Sequence, residues 1–173
     1  MTIICIKNGI VAADSALFDG DSNILDKSTQ KVFRLTAGQY AGDVAAYAGM
    51  IWWGQAALRW LQDEGPFPGL TGDDDDSYSL IVVGHKANPR MEPTPNTNVT
   101  IFTSTSEQPS RISSLATAKG PSASYALGAM GAGCSAVEAV HLCIENTTHA
   151  AGVPQYLRTS GNHKTPVIWT PPE

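Results

Sequence analysis

The chain opens MTIICIKNGIVAADSA, and no other stretch constrains the fold as much. Ile3, Ile4, Cys5 and Ile6 show no polar alternation, which predicts a strand covered on both faces. Asn8-Gly9 follows. Both residues tolerate positive φ, so the pair predicts a two-residue hairpin turn. Ile10, Val11, Ala12 and Ala13 run back as the partner strand and end at Asp14. The hairpin therefore sets Thr2 and Asp14 at the same end, at the head of a buried strand.

The rest of the chain alternates strand and helix signals. A polar loop runs from Phe18 to Gln30, and residues 31–35 (KVFRL) read as a short strand. Tyr40 to Ala48 reads as another strand, broken at Gly49. MIWWGQAALRWLQDEG is the first strong helix, with Trp53, Ala57, Trp60 and Leu61 on one stripe. YSLIVV (78–83) and VTIFT (99–103) predict strands, joined by the exposed connector ANPRMEPTPNTN. Ser122 to Met130 reads as a short helix. Ser135 and Glu138 form a capping box that opens a second helix through about Glu145. The tail, TPVIWTPPE, is too proline-rich for a central strand. This order predicts an α+β fold, mostly antiparallel, with helices laid against the sheets.

The length, 173 residues, suits a single domain over 1–173. Net charge is −5, from 11 basic and 16 acidic residues, which argues against a nucleic-acid partner needing a basic face. No stretch approaches the apolar length of a membrane span, and the N-terminus lacks signal-peptide character. Cys5, Cys134 and Cys143 are odd in number and unpaired in spacing, which predicts reduced thiols in a cytoplasmic protein. The Asn-x-Ser/Thr matches at Asn98 and Asn146 then carry no meaning for glycosylation. GDDDDS (72–77) lacks spaced calcium ligands and reads as a solvated loop. His85, His141, His149 and His163 show no zinc spacing. Trp52, Trp53 and Trp60 lie at helical spacing and read as core or subunit interface.

The opening T-I-I-C-I-K-N-G-I-V-A-A-D-S resembles the N-terminus of proteasome β-type subunits and the peptidase HslV. Its short hairpin is most similar to the compact proteasome-like proteins of phages and prophages. The resemblance continues through residues 30–35 (QKVFRL), through 44–49 (VAAYAG), and through 118–130 with the helix at 135–140, covering roughly residues 2–153. It implies the four-layer αββα sandwich of N-terminal-nucleophile hydrolases. It also implies a threonine-type peptidase or amide hydrolase acting on peptide or protein substrates, with no metal or organic cofactor. A homo-oligomer, with a ring as one form, is implied as well.

The chemistry explains the opening. A threonine hydroxyl needs a base beside it, and a chain-terminal threonine carries its own in the α-amine, whose ordinary pKa is about 7.7–8.0. Met1 must first be removed, and Thr2 is small enough for a methionine aminopeptidase. By the resemblance, Lys31 lowers the pKa of the amine and hydroxyl through its charge. Asp14 holds Lys31, and the backbone N–H at Ala46 receives the oxyanion. Lys27 is a rival for Lys31 in the same loop.

Three positions depart from the family pattern. Ala46 stands where glycine is usual. Pro121 stands where a serine orients the amine, leaving Ser122 to take over that role or to cap the next helix; the cap is the reading the sequence favours. Residues 146–149 (NTTH) place Asn146 at a carboxylate position and His149 at a hydroxyl position. These departures support an alternative expectation: a catalytically degenerate relative with a structural or interaction role, for instance in a viral particle.

Overall fold

The computed structural model describes residues 2–19, 21, 23–69, 78–84 and 97–171. Met1, the acidic run at 72–77, His85 and most of the connector after it lie outside the described residues. The strands are β1 (Ile4–Lys7), β2 (Ile10–Ala13), β3 (Leu17–Phe18), β4 (Ile24–Asp26), β5 (Val32–Arg34) and β6 (Val44–Ala48). After helix α1 (Ile51–Leu61) come β7 (Ser79–Val83), β8 (Thr97–Thr103), β9 (Ser106–Ser114) and β10 (Ala116–Lys119). Helices α2 (Ala123–Gly131) and α3 (Ala136–Asn146) follow, then β11 (Gln155–Arg158) and β12 (Val167–Ile168). The class is α+β, and no helix among the described residues is long and apolar enough to cross a membrane.

The opening hairpin forms as its sequence predicts. Asn8 and Gly9 take φ of 51° and 71°, and the register pairs Ile4 with Ala13 and Lys7 with Ile10. One antiparallel sheet has the order β10-β1-β2-β11-β12, and a second the order β5-β6-β7-β8-β9. The chain passes from the second sheet to the first at Leu115, between β9 and β10. A two-stranded β3-β4 ribbon stands apart from both sheets.

Three apolar clusters hold these elements together. Ile4, Ile6, Val11, Ala13 and Leu157 of the first sheet meet Val32, Val44, Ala46, Ile81, Val83 and Val99 of the second. Period-2 alternation sends Ile3, Cys5 and Ala12 to the opposite face, where α2 and α3 cover them with Ala126, Met130, Val137, Val140 and Cys143. The second sheet's other face, with Tyr47, Leu80, Val82 and Phe102, is covered by Trp53, Ala57, Leu58 and Leu61 of α1. The absence of alternation in β1 therefore has its cause: apolar matter lies against both faces.

Some sequence expectations shift. Tyr40–Asp43 form turns, so β6 is shorter than the predicted strand. Trp60 is half-buried, edge-on to Phe67 and Phe102 at 5.0 Å from each. The Ser135–Glu138 capping box is present in both directions. Among the described residues β12 pairs only with β11 and stands at a sheet edge, where a proline-rich tail is tolerated.

Two helix glycines give opposite predictions. A Cβ at Gly54 would lie 2.3 Å from the Tyr47 ring, whereas one at Gly128 would meet nothing within 4 Å. Gly54→Ala is expected to lose about 1–3 kcal/mol through overpacking. Gly128→Ala is expected to gain up to about 1 kcal/mol from helix propensity. Urea unfolding of both variants checks the contrast.

Candidate active site

The first sheet's strand polarity brings the head of β1, the end of β2 and the start of β11 to one edge. The second sheet brings the start of β5 and the end of β6 to the same place. Asp14, just past β2, is fully buried. Its backbone N–H donates to the Ile3 carbonyl at 3.3 Å, and the Ile3 N–H donates to Asp14 Oδ1 at 3.0 Å. Lys31, just before β5, is 3% exposed and places Nζ 3.1 Å and 3.2 Å from the two carboxylate oxygens. The Ala151 N–H adds a contact to Oδ2 at 3.4 Å. Lys27 is exposed, so the pairing selects Lys31 over its rival.

Thr2 is buried, yet it lines a cavity of about 520 Å³ together with Lys31, Gly49, Gly120 and Pro121. Gly120 is required here. Its φ is +121°, and a Cβ on it would come within 1.9 Å of the Thr2 carbonyl oxygen. The end of β10 thus crosses directly over the first residues of the chain.

Burial is the largest influence on both members of the ion pair. It pushes the Asp14 carboxyl up from its ordinary value, opposed by Lys31 and by the backbone donors. It pushes the Lys31 ammonium down, opposed by Asp14. Tyr47, also at the cavity wall, is pushed up to about 12 by burial and keeps its phenol proton at neutral pH. The three cysteines are free, as their spacing predicts. Burial raises the Cys5 and Cys143 thiols, which disfavours the thiolate form of both.

Two candidate residues sit differently from the sequence expectation. Ala46 is not at the cavity. It lies mid-strand in β6, paired with Val32 on one side and Ile81 on the other, with its methyl in the cluster between the sheets. A central strand commits its backbone to neighbours on both sides, so backbone N–H groups open to the cavity belong past a strand end. Gly49 is that end: it has φ +120°, lines the cavity, and precedes α1, whose first turn has no side-chain cap.

Ser122 occupies the N-cap position of α2 but makes no side-chain capping bond. Its Oγ lies 2.9 Å from Thr147 Oγ1. Thr147 Oγ1 donates to the Cys143 carbonyl at 2.8 Å, so Ser122 is the donor to Thr147. Asn146 turns back to the Leu142 carbonyl of its own helix, and His149 is exposed. The residue that reaches inward is therefore Thr147.

Gln155 was not singled out by the sequence. It is buried; its Nε2 donates to the carbonyls of Asp14 (3.2 Å) and Thr29 (2.8 Å), and its Oε1 accepts from the Lys31 N–H (3.0 Å). It ties three strand ends from two sheets beneath the ion pair, and no local motif marks it. A comparison with models of known protein families finds no match, and no curated protein matches the chain.

The ion pair makes its own prediction. Asp14→Asn is expected to cost about 3–5 kcal/mol, because it strips the buried ammonium of its counter-charge. Lys31→Met is expected to cost a similar amount, and the double variant to recover most of either loss. The pH sign follows from the directions above. Asp14's contribution to stability is greatest below the ordinary carboxylate range and is lost as pH rises through its raised value. Lys31's is greatest above the ordinary lysine range and is lost as pH falls through its lowered value. The double variant therefore gains most on the wild type in the window between the raised Asp14 value and the lowered Lys31 value. Urea unfolding of the four proteins across pH checks both points; additive losses in the double variant would contradict them.

Proposed function

We propose that this chain is a threonine-type N-terminal-nucleophile amide hydrolase of the proteasome-like kind, acting through Thr2 on peptide or protein substrates. One observation carries the proposal. Thr2 stands at the head of a buried strand, in the wall of a cavity, beside a buried Lys31–Asp14 pair. The three apolar clusters, with helices outside two facing sheets, support assignment to the αββα sandwich of that class.

Removal of Met1 frees the Thr2 amine. The amine accepts the Oγ proton as Oγ attacks the substrate carbonyl carbon. The oxyanion is received by backbone N–H at Gly49, where β6 gives way to α1. The tetrahedral intermediate collapses, the C–N bond breaks, and the leaving amine takes the proton from the Thr2 ammonium. Water, deprotonated by the same amine, then attacks the acyl-Thr2 ester; the acyl C–Oγ1 bond breaks, Thr2 Oγ1 takes the proton back from the ammonium, and a carboxylic acid is released. Lys31 disfavours protonation of the nearby amine through its positive charge, while Asp14 and Gln155 hold Lys31 in place. Ser122, backed by Thr147, orients the amine. A cytoplasmic homo-oligomer, with a ring as one closed form, belongs to the same proposal.

A second reading has one observation in its favour: Ser122 is backed by a hydroxyl, not a carboxylate. That reading is a catalytically inert relative with a structural or interaction role, for instance in a viral particle.

Intact mass of the native protein, before and after a β-lactone, separates the two. The hydrolase is expected to lack Met1 and to gain one adduct on Thr2. Thr2→Ala should abolish the adduct and lower any amide turnover by at least about a thousandfold while keeping the fold. A mass that retains Met1 and gains no adduct supports the inert reading.

A further inference from the structure

We propose that Lys119 is a specificity-determining residue whose ammonium receives a carboxylate carried by the leaving-group part of the substrate. This rests on the Thr2 reading above and names a substrate feature for it.

Side-chain alternation sets the face on which Lys119 stands. Ala116 and Ala118 of β10 pack against the cluster beneath α2 and α3, so Lys119 emerges on the other face. It pairs with Ile4, whose side chain lies between the two sheets. The same alternation, carried back from Ile4, puts Thr2 on that face too. Thr2 and Lys119 both line the cavity, from adjacent strands.

The charges around the cavity are unequal. Its charged lining residues, among those described, are Asp19, Lys31 and Lys119. Lys31 is already paired with Asp14. Lys119 is half-buried, and among the described residues no hydrogen bond or ion pair engages its ammonium. Asp19 follows β2, the strand on the other flank of β1. Its carboxylate accepts from Asn23 and from the Asp21 N–H, bonds that hold it below the ordinary carboxylate range, so it stays charged. A carboxylate entering the cavity is therefore repelled on the β2 flank and attracted on the β10 flank.

The chemistry assigns the β10 flank to the leaving group. The Thr2 amine hands its proton to the leaving nitrogen, and Ser122, which orients that amine, comes three residues after Lys119. The leaving nitrogen must approach the amine, so the chain it carries departs past the end of β10. A carboxylate on that chain meets the lining cation that has no counter-charge among the described residues. A free C-terminus and an acidic side chain are two sources of this one chemistry.

The test compares three N-acetylated peptides that differ only in the single residue after the scissile amide: Ala with a free carboxylate, Ala amide and Asp amide. Each is presented with acyl parts ending in Ala, Phe, Lys or Asp, and release of the amine product by the native protein is followed by chromatography. The Ala acid, the Asp amide or both are expected to be cleaved at least about tenfold more efficiently than the Ala amide, the difference lying in KM. Preference for the Ala acid identifies the terminus as the source, and preference for the Asp amide the side chain. Lys119→Met should bring the preference to within about twofold of unity, and Lys119→Arg should keep most of it. In the wild type, raising salt from about 0.05 M to about 1 M should narrow it. Equal cleavage of all three peptides, fastest cleavage of the Ala amide, or a preference that survives Lys119→Met or high salt would overturn the proposal, while a β-lactone adduct still upholds Thr2. An adduct with no cleavage of any peptide overturns it as well. No adduct and no cleavage would remove the Thr2 reading and this one with it.

Discussion

The contact between Asp14 and Lys31 is the constraint on which the surrounding structure depends. Among the described residues they are the only buried charged side chains. Taking two charges out of water is costly, and burial pushes each toward its neutral form. Close geometry and further hydrogen bonds must offset that cost. The structure supplies them from several directions: the Ile3 and Ala151 amides on the carboxylate, and Gln155 on the backbones of Asp14 and Lys31. Each donor belongs to a different strand or loop. The pair thus fixes the first residues of the chain, and with them Thr2, against both sheets.

The topology explains why this happens at one edge. In the order β10-β1-β2-β11, antiparallel pairing puts the start of β1, the end of β2, the end of β10 and the start of β11 together. The second sheet brings the start of β5, the end of β6 and the start of β7 together in the same way. Loops at such an edge are released from ladder hydrogen bonding, so backbone amides become available there. Mid-strand positions such as Ala46 have no such freedom. The cavity, the rim of α1 and the glycine crossing at Gly120 all lie where strands stop.

How legible this was varied with the range of the interaction. The hairpin at Asn8-Gly9, the stripe on α1 and the capping box at Ser135 are local, each set by a handful of consecutive residues. They appear in the structure close to where periodicity and turn chemistry place them. β9 and β10 did not announce themselves: their serine-rich and mixed sequences become strands through pairing with β8 and β1. Ser122 has the composition of a helix cap, yet its hydroxyl turns to Thr147, 25 residues further on. Gln155 carries no local signal at all.

The sequence alone determined the buried first strand, its turn, and the placing of Thr2 and Asp14 at one end, because a two-residue hairpin fixes register by geometry. It also determined the α+β alternation, through the switch between period-2 and period-3.6 patterns. Only the tertiary structure decided that Lys31 rather than Lys27 meets Asp14, that Gly49 rather than Ala46 faces the cavity, and that Thr147 rather than Asn146 backs Ser122. Those choices depend on how two sheets and three described helices stack against one another. Packing of residues distant along the chain settles them, and short-range sequence pattern does not encode it.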